Sequence, residues 1–205
     1  MTLVELLCVI AAAILLGVIL SPAPNGKGKN TISACVNNLR QIALAQFTWA
    51  SEHSSESQPT NFPTINAKVL QQPTSRDLAF FYRSLSNEIV NPRILACPAD
   101  KRRPSETFAT LDTNSISYFA NVDASMSGNP EAVWNGDRHL QSASPRQTAV
   151  LTLRTNLDMS WDPTLLHKTI GNLSFVDGSV VKASKRELND YLGSPRTEGH
   201  RLLFP

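Results

Sequence analysis

The first twenty residues constrain the fold of this chain more than any other segment. Residues 1–20 read MTLVELLCVIAAAILLGVIL, in which Glu5 is the only charged side chain. A helix of this length rises by about 30 Å, the thickness of the hydrocarbon core of a bilayer. Signal peptides open with basic residues, and this run contains no Lys or Arg. We therefore expect a transmembrane helix.

Glu5 needs a cationic partner in such surroundings. A carboxylate in hydrocarbon costs roughly 2.5–3.5 kcal/mol on insertion scales. If Met1 is the mature N-terminus, its α-amino group on one subunit can pair with Glu5 of a neighbour, which would fix the axial step between subunits. The alternative is a single-span anchor whose Glu5 lies among lipid headgroups.

Several segments resemble known pilin-like proteins. The opening MTLVELL resembles the mature start of type IV pilins and type II secretion pseudopilins, in which a glutamate stands at the fifth position. The segments CVNNLRQI at residues 35–42 and ILACP at residues 94–98 resemble a wider bacterial pilin-like group. The same group has a C-terminal motif in which a histidine is followed after nine residues by Asp-Gly, as His167 is followed here by Asp177 and Gly178.

The resemblance implies an α+β, pilin-like fold. A long N-terminal α-helix, hydrophobic in its first half, would pack on the small antiparallel β-sheet of a head. Residues 1–53 would form the helix and residues 54–205 the globular head. Within the helix, residues 1–20 would be the transmembrane segment and filament core, residues 21–30 a Pro/Gly break, and residues 31–53 an amphipathic part.

The resemblance also implies a function, a location and partners. The chain would be a non-enzymatic structural subunit of an extracellular type IV pilus-like filament, a helical homopolymer built through the N-terminal helix. A prepilin peptidase and the pilus or secretion assembly machinery would act on it. It would reside in the inner membrane before assembly and then at the cell surface, or in a periplasmic pseudopilus. The alternatives are a minor or major pseudopilin of a type II secretion-like system and a single-span anchored surface module.

Four residues are the candidates for assembly under this interpretation. Met1, which is either a processed and methylated N-terminus or a start codon, and Glu5 would set the register. Gly17 and Pro22 would loosen the helix, because glycine and proline disfavour helix interiors by roughly 1 and 3 kcal/mol.

Local patterns predict the elements of the head. Apolar residues at three- and four-residue spacing indicate a helix over residues 31–52, and polar composition indicates a surface loop over residues 54–73. A helix is expected at residues 77–85, capped by Thr74 or Ser75. Strands are expected at residues 115–122, 148–153, 172–176 and 180–183, the last two joined by an Asp-Gly turn. Ser184 and Glu187 form a capping-box pattern for a terminal helix.

The cysteine content and the net charge bear on disulfide formation and on nucleic-acid binding. Cys35 and Cys97 are the only cysteines outside the apolar run, and the sequence leaves open whether they form a disulfide or remain free thiols. The net charge of +2 gives no support to nucleic-acid binding.

No catalytic or cofactor site is predicted. His167 and Asp177 with Ser174 or Ser179 lack a nucleophile elbow, so we interpret the histidine motif as structural. The loop carboxylates Asp123 and Asp137 are the calcium candidates, although their spacing matches no calcium-binding pattern.

Overall fold

The computed structural model describes residues 3–20, 27–53, 74–126, 129–143, 149–155 and 157–205. The chain forms two compact units, Met1–Asn30 and Thr31–Pro205. Four α-helices are described: α1 (Leu3–Leu20), α2 (Lys27–Glu52), α3 (Ser75–Ser84) and α4 (Lys185–Leu192). The predicted loop at residues 54–73 lies outside the described residues.

Helix α1 presents an apolar surface on all sides. Every residue from Leu3 to Leu20 is apolar or glycine except Glu5. Its large side chains whose burial is described are between 47% and 77% exposed; they are Leu3, Val4, Leu6, Leu7, Ile10, Ile14, Leu15 and Leu16. A helix that is hydrophobic all round needs a covering layer, because its exposed side chains gain free energy only when they are removed from water.

The predicted transmembrane helix is wrong. Within the described part of the chain, no helix is long and apolar enough to cross a membrane. The inner-membrane location and the single-span anchor rested on a membrane-spanning helix, so both are corrected with it.

The predicted long N-terminal helix over residues 1–53, with its Pro/Gly break at residues 21–30, is also wrong. Helix α1 ends at Leu20 and α2 begins at Lys27, so the helical residues form two elements. Pro22 and Pro24 stand between the two helices in the sequence, and proline removes a helical hydrogen bond and clashes with the preceding turn. Both prolines lie outside the described residues. The long helix of the second unit is therefore α2, and it starts at Lys27 rather than at the N-terminus.

A six-stranded antiparallel sheet dominates the C-terminal part, where a small sheet was expected. Its spatial order is β4-β8-β1-β2-β6-β7, and β3 pairs with β5 in a separate two-stranded sheet. The strands are β1 (Tyr118–Asn121), β2 (Val133–Asp137), β3 (Leu140–Ser142), β4 (Val150–Thr152), β5 (Met159–Trp161), β6 (Gly171–Phe175), β7 (Val180–Ala183) and β8 (Arg201–Leu203). Strands β2 and β8 enlarge the sheet, and neither was predicted.

Two apolar clusters lie on opposite faces of the large sheet. Strand β1 turns Tyr118 and Ala120 towards the cluster that contains side chains of α2 and α3. The residue between them, Phe119, belongs to the cluster that contains side chains of α4, β3 and β5. This two-residue alternation is the normal geometry of a strand covered on both faces. Strand β1 is therefore central to the core.

The predicted helix caps are confirmed. Thr74 caps α3 through a reciprocal capping box with Asp77, and Ser184 caps α4 in the same way with Glu187. The predicted hairpin is also confirmed, because β6 and β7 pair antiparallel across a turn in which Gly178 has a φ of 81°. Glycine adopts this left-handed conformation without the steric cost of a side chain.

The close approach of Gly171 to Trp161 gives a test of this packing. A Cβ atom on Gly171 would lie 2.6 Å from ring carbons of Trp161, so Gly171→Ala should lower the free energy of unfolding by about 1–3 kcal/mol. In a Trp161→Phe background the clashing carbons are gone, and the same substitution should cost less. A double-mutant cycle in urea measures both costs. Equal costs in the two backgrounds would contradict the packing described.

Candidate functional site

A disulfide anchors a buried polar cluster in the second unit. Cys35 of α2 and Cys97, which follows the 3₁₀ turn Pro92–Leu95, are joined with their Cα atoms 5.3 Å apart. Both cysteines are buried. The cross-link closes a loop of 62 residues, for which the chain-entropy model gives a stabilisation of about 4 kcal/mol.

A second contact holds the Cys97 loop against the end of β2. Asp100 accepts two hydrogen bonds from the guanidinium of Arg138, at 2.6 and 2.9 Å. The hydroxyl of Ser117 donates to the same carboxylate at 2.8 Å. Burial opposes the ionised form of Asp100, but the hydrogen bonds from Arg138 and Ser117 outweigh it, and the pKa of Asp100 falls below its usual value.

His167 lies directly beside the disulfide. Its Nε2 atom is 3.3 Å from Sγ of Cys97, and the side chain is almost fully buried. The residues on either side, Leu166 and Lys168, have φ values of 36° and 65°. Left-handed backbone at two non-glycine residues is unfavourable. The turn between β5 and β6 therefore has an unfavourable backbone conformation. This conformation places His167 in the core.

Asp137, the last residue of β2, is fully buried next to His167. Its Oδ2 atom accepts hydrogen bonds from the backbone N–H and the side-chain amide of Asn172, both at 2.8 Å. The same oxygen is 3.9 Å from Nε2 of His167. Oδ1 of Asp137 has no hydrogen-bond partner among the described residues.

Burial favours the uncharged forms of both members of this pair. Desolvation raises the pKa of Asp137 to about 7, although the hydrogen bonds from Asn172 oppose the shift. Desolvation also lowers the pKa of His167. Asp137 is therefore mostly protonated below about pH 7, because the low-dielectric surroundings penalise its charge.

His139 is the second buried histidine of the cluster. Its ring packs on Trp161 with the ring centroids 4.7 Å apart, and burial lowers its pKa to about 4. Its Nε2 atom lies 3.1 Å from the carbonyl oxygen of Ile170, so the neutral ring donates a proton there. Nδ1 of His139 has no partner within the described part of the chain.

The residues weighed for catalysis are distributed among different contacts. The carboxylate that approaches His167 is Asp137, whereas Asp177 accepts from the backbone N–H of Ser179 in the exposed β6–β7 turn. Ser174 hydrogen-bonds with Asn135 on the neighbouring strand. None of these contacts joins a serine to His167. The Asp137 contact was missed because it joins residues thirty positions apart through strand pairing.

The remaining sequence candidates also have defined positions. The calcium candidates have separate partners, because Asp123 binds Arg201 at 2.6 Å while Asp137 binds Asn172. Of the four candidates for assembly, Glu5 and Gly17 lie in α1. The other two, Met1 and Pro22, lie outside the described residues.

No family model, curated protein or solved structure matches this chain. Two features stand out physically: the uncovered apolar surface of α1 in the first unit and the buried polar cluster in the second.

The raised pKa of Asp137 predicts a specific pH dependence of stability. The folded protein binds a proton at Asp137 that the unfolded chain releases near pH 4, so this residue makes stability fall as pH rises from about 4 to about 7. The slope should approach ~1.4 kcal/mol per pH unit. Asp137→Asn removes this titration. The free energy of unfolding of the variant minus that of wild type should therefore rise with pH.

Urea denaturation across about pH 4–8 measures this difference. Shared contributions from the other titrating groups cancel when the variant is compared with wild type. Gly171→Ala is the control, since it removes no titratable group, and its curve should run parallel to that of wild type. A parallel curve for Asp137→Asn would show that the carboxyl is not perturbed.

Proposed function

We propose that this chain is a structural subunit of a type IV pilus-like filament whose copies assemble through α1. The observation that carries the proposal is the surface of α1, which is apolar on every side and has large apolar side chains exposed between Leu3 and Leu16. Full burial of one Leu, Ile or Val side chain contributes about 1.5–3 kcal/mol. Packing of α1 helices from several copies would remove this surface from water.

Copies of the same chain can cover the surface of α1, because this surface is apolar in every direction around the helix. A contact that repeats head-to-tail without closing produces an open helical filament rather than a ring. The likeness of MTLVELL to the mature start of pilins supports a filament as the product. We therefore propose a helical homopolymer with α1 at its centre.

Glu5 supplies the specificity that an apolar surface lacks. Hydrophobic association is non-directional, so it does not by itself fix the axial offset between neighbouring helices. Glu5 is the one charged residue from Leu3 to Leu20. We propose that its carboxylate binds the α-amino group of Met1 on a neighbouring copy where Met1 is the mature N-terminus, and so selects one register.

The second unit has a structural role in this proposal. Its disulfide and its six-stranded sheet stabilise Thr31–Pro205 as a separate compact unit. One side of α2 leaves Leu44 and Phe47 about half exposed or more, at 64% and 47%. These residues are three apart, so they share one helix face, and they offer an additional surface for lateral contact between copies.

A charge placed in α1 should prevent assembly. Ile14, 62% exposed, would be buried between copies, so Ile14→Asp should raise the critical concentration of the full chain at least ~10-fold. Sedimentation after removal of detergent measures the assembled fraction. The matched control is Val90→Asp, since Val90 is an exposed apolar residue of the second unit. Equal effects of the two substitutions would contradict assembly through α1.

Removal of the Glu5 charge should disturb the helical order of the filament more than the affinity between copies. Glu5→Gln keeps the shape of the side chain but weakens its attraction for an ammonium group. We expect filaments that still form but lose a single helical repeat in electron micrographs. The control is Glu52→Gln at the end of α2, which should keep the wild-type repeat. A sharp, unchanged repeat in the Glu5 variant would exclude this residue as the register element.

A further inference from the structure

Three side chains with metal-binding chemistry meet in the core of the second unit, and the carboxylate of Asp137 lies beside one of them, His167. We propose that, when the Cys35–Cys97 disulfide is reduced, the two thiolates and the imidazole of His167 bind one zinc-class divalent ion, with Asp137 as the fourth ligand. This site is independent of the filament proposal, because all four residues lie in Thr31–Pro205. The disulfide and the metal ion are alternative ways to join the same elements.

The distances in the oxidised form are close to those of a zinc site. The candidate ligand atoms of Cys35, Cys97 and His167 all lie within 4.8 Å of one another. Zinc binds sulfur at about 2.3 Å and nitrogen at about 2.0 Å, so neighbouring ligands of a tetrahedral site lie about 3.3–3.8 Å apart. Nε2 of His167 is 3.3 Å from Sγ of Cys97 and 3.9 Å from Oδ2 of Asp137. To complete the tetrahedron, the two sulfurs would separate on reduction and the carboxylate of Asp137 would turn towards them.

The unsatisfied oxygen of Asp137 is an independent indication of a missing ligand. A fully buried carboxylate atom without a hydrogen bond is costly, and such atoms are rare in native proteins. Oδ1 of Asp137 has no partner among the described residues. Asn172 holds the other oxygen through two hydrogen bonds, which is how outer residues orient a ligating carboxylate. A cation bound at Oδ1 would satisfy the carboxylate, while Oδ2, the oxygen 3.9 Å from Nε2 of His167, would keep its hydrogen bonds from Asn172.

The donor set selects the class of metal. Calcium and magnesium require six or more oxygen atoms or several waters, which this core does not provide in the residues described. Thiolate and imidazole ligands favour zinc and chemically similar ions. The two thiolates neutralise the charge of a divalent ion, and the further negative charge of Asp137 is partly offset by its two hydrogen bonds from Asn172.

Conversion of the disulfide form into the metal-bound form requires a two-electron reductant. A dithiol reductant transfers two electrons and two protons to the Cys35–Cys97 disulfide, and is itself oxidised to a disulfide. The sulfur–sulfur bond breaks and two thiols form. The ion then binds both sulfurs as thiolates and displaces their two protons to solvent. Helix α2 and the Cys97 loop therefore remain joined in both states.

Cobalt titration of the reduced full chain tests the site. The protein is reduced with a phosphine under oxygen-free conditions. Co²⁺ is then added as a spectroscopic probe that zinc can displace. We expect one equivalent of tetrahedral cobalt with a thiolate-to-metal charge-transfer band, and no band from the oxidised chain. Cys97→Ser should abolish the band, and His167→Gln and Asp137→Asn should weaken binding at least ~10-fold.

Two controls make the result specific. Cys8→Ser removes the third cysteine and His53→Gln removes a histidine from the end of α2, and both should bind cobalt as wild type does. An absent band in reduced wild type, or unchanged affinity in His167→Gln, would overturn the proposal. Loss of binding in Cys8→Ser would also overturn it, because another thiol would then be the ligand.

Thermal unfolding separates loss of binding from loss of fold. Oxidised His167→Gln should form its disulfide and show the far-UV circular dichroism of wild type. Zinc should raise the Tm of reduced wild type by several degrees, because a ligand present at about 100 times its Kd stabilises by about 2.7 kcal/mol. It should not raise the Tm of oxidised wild type or of the reduced variant. No rise in reduced wild type would refute the site.

Discussion

The cross-link between Cys35 and Cys97 is the constraint on which the second unit depends. It fixes α2 to the segment that leads into β1, and the side chain of Asn38 donates to the carbonyl of Ala96 just beside it. The backbone N–H of Ser117 then donates to the carbonyl of Leu95, so the same segment is tied to the start of the central strand. Because β1 carries apolar side chains to both faces of the sheet, its position sets that of both core clusters.

This rigid framework explains why polar groups are tolerated around His167. Asp137, His139 and Asn172 each keep one buried atom without a hydrogen bond to the residues described. Each such atom costs free energy of about 1–3 kcal/mol, and the left-handed residues beside His167 add to that cost. An apolar core would be more stable at these positions. Retention of several unsatisfied groups around one histidine is typical of a site with a ligand or a redox role.

Local sequence signals predicted the elements that depend on a few neighbouring residues. The Asp177-Gly178 turn, the Ser184 cap and the periodicity of α2 each reflect short-range geometry, and the structure contains all three. Strand β2 was missed because it is buried at all five positions and includes Asn, Gly and Asp, so it lacks both the alternation and the residue types of a predicted strand. The approach of His167 to Asp137 depends on the pairing of β2 with β6, which no local pattern encodes.

The apolar composition of the N-terminal helix α1 is compatible with two different surroundings. A membrane and the centre of a filament both favour an uninterrupted apolar helix, so the residue types of α1 do not distinguish them. In the filament we propose, neighbouring α1 helices would cover one another from the side, which would remove their apolar side chains from water. Glu5 near the start of α1 would then be the polar contact that selects one axial offset, as a single polar residue does in a coiled coil.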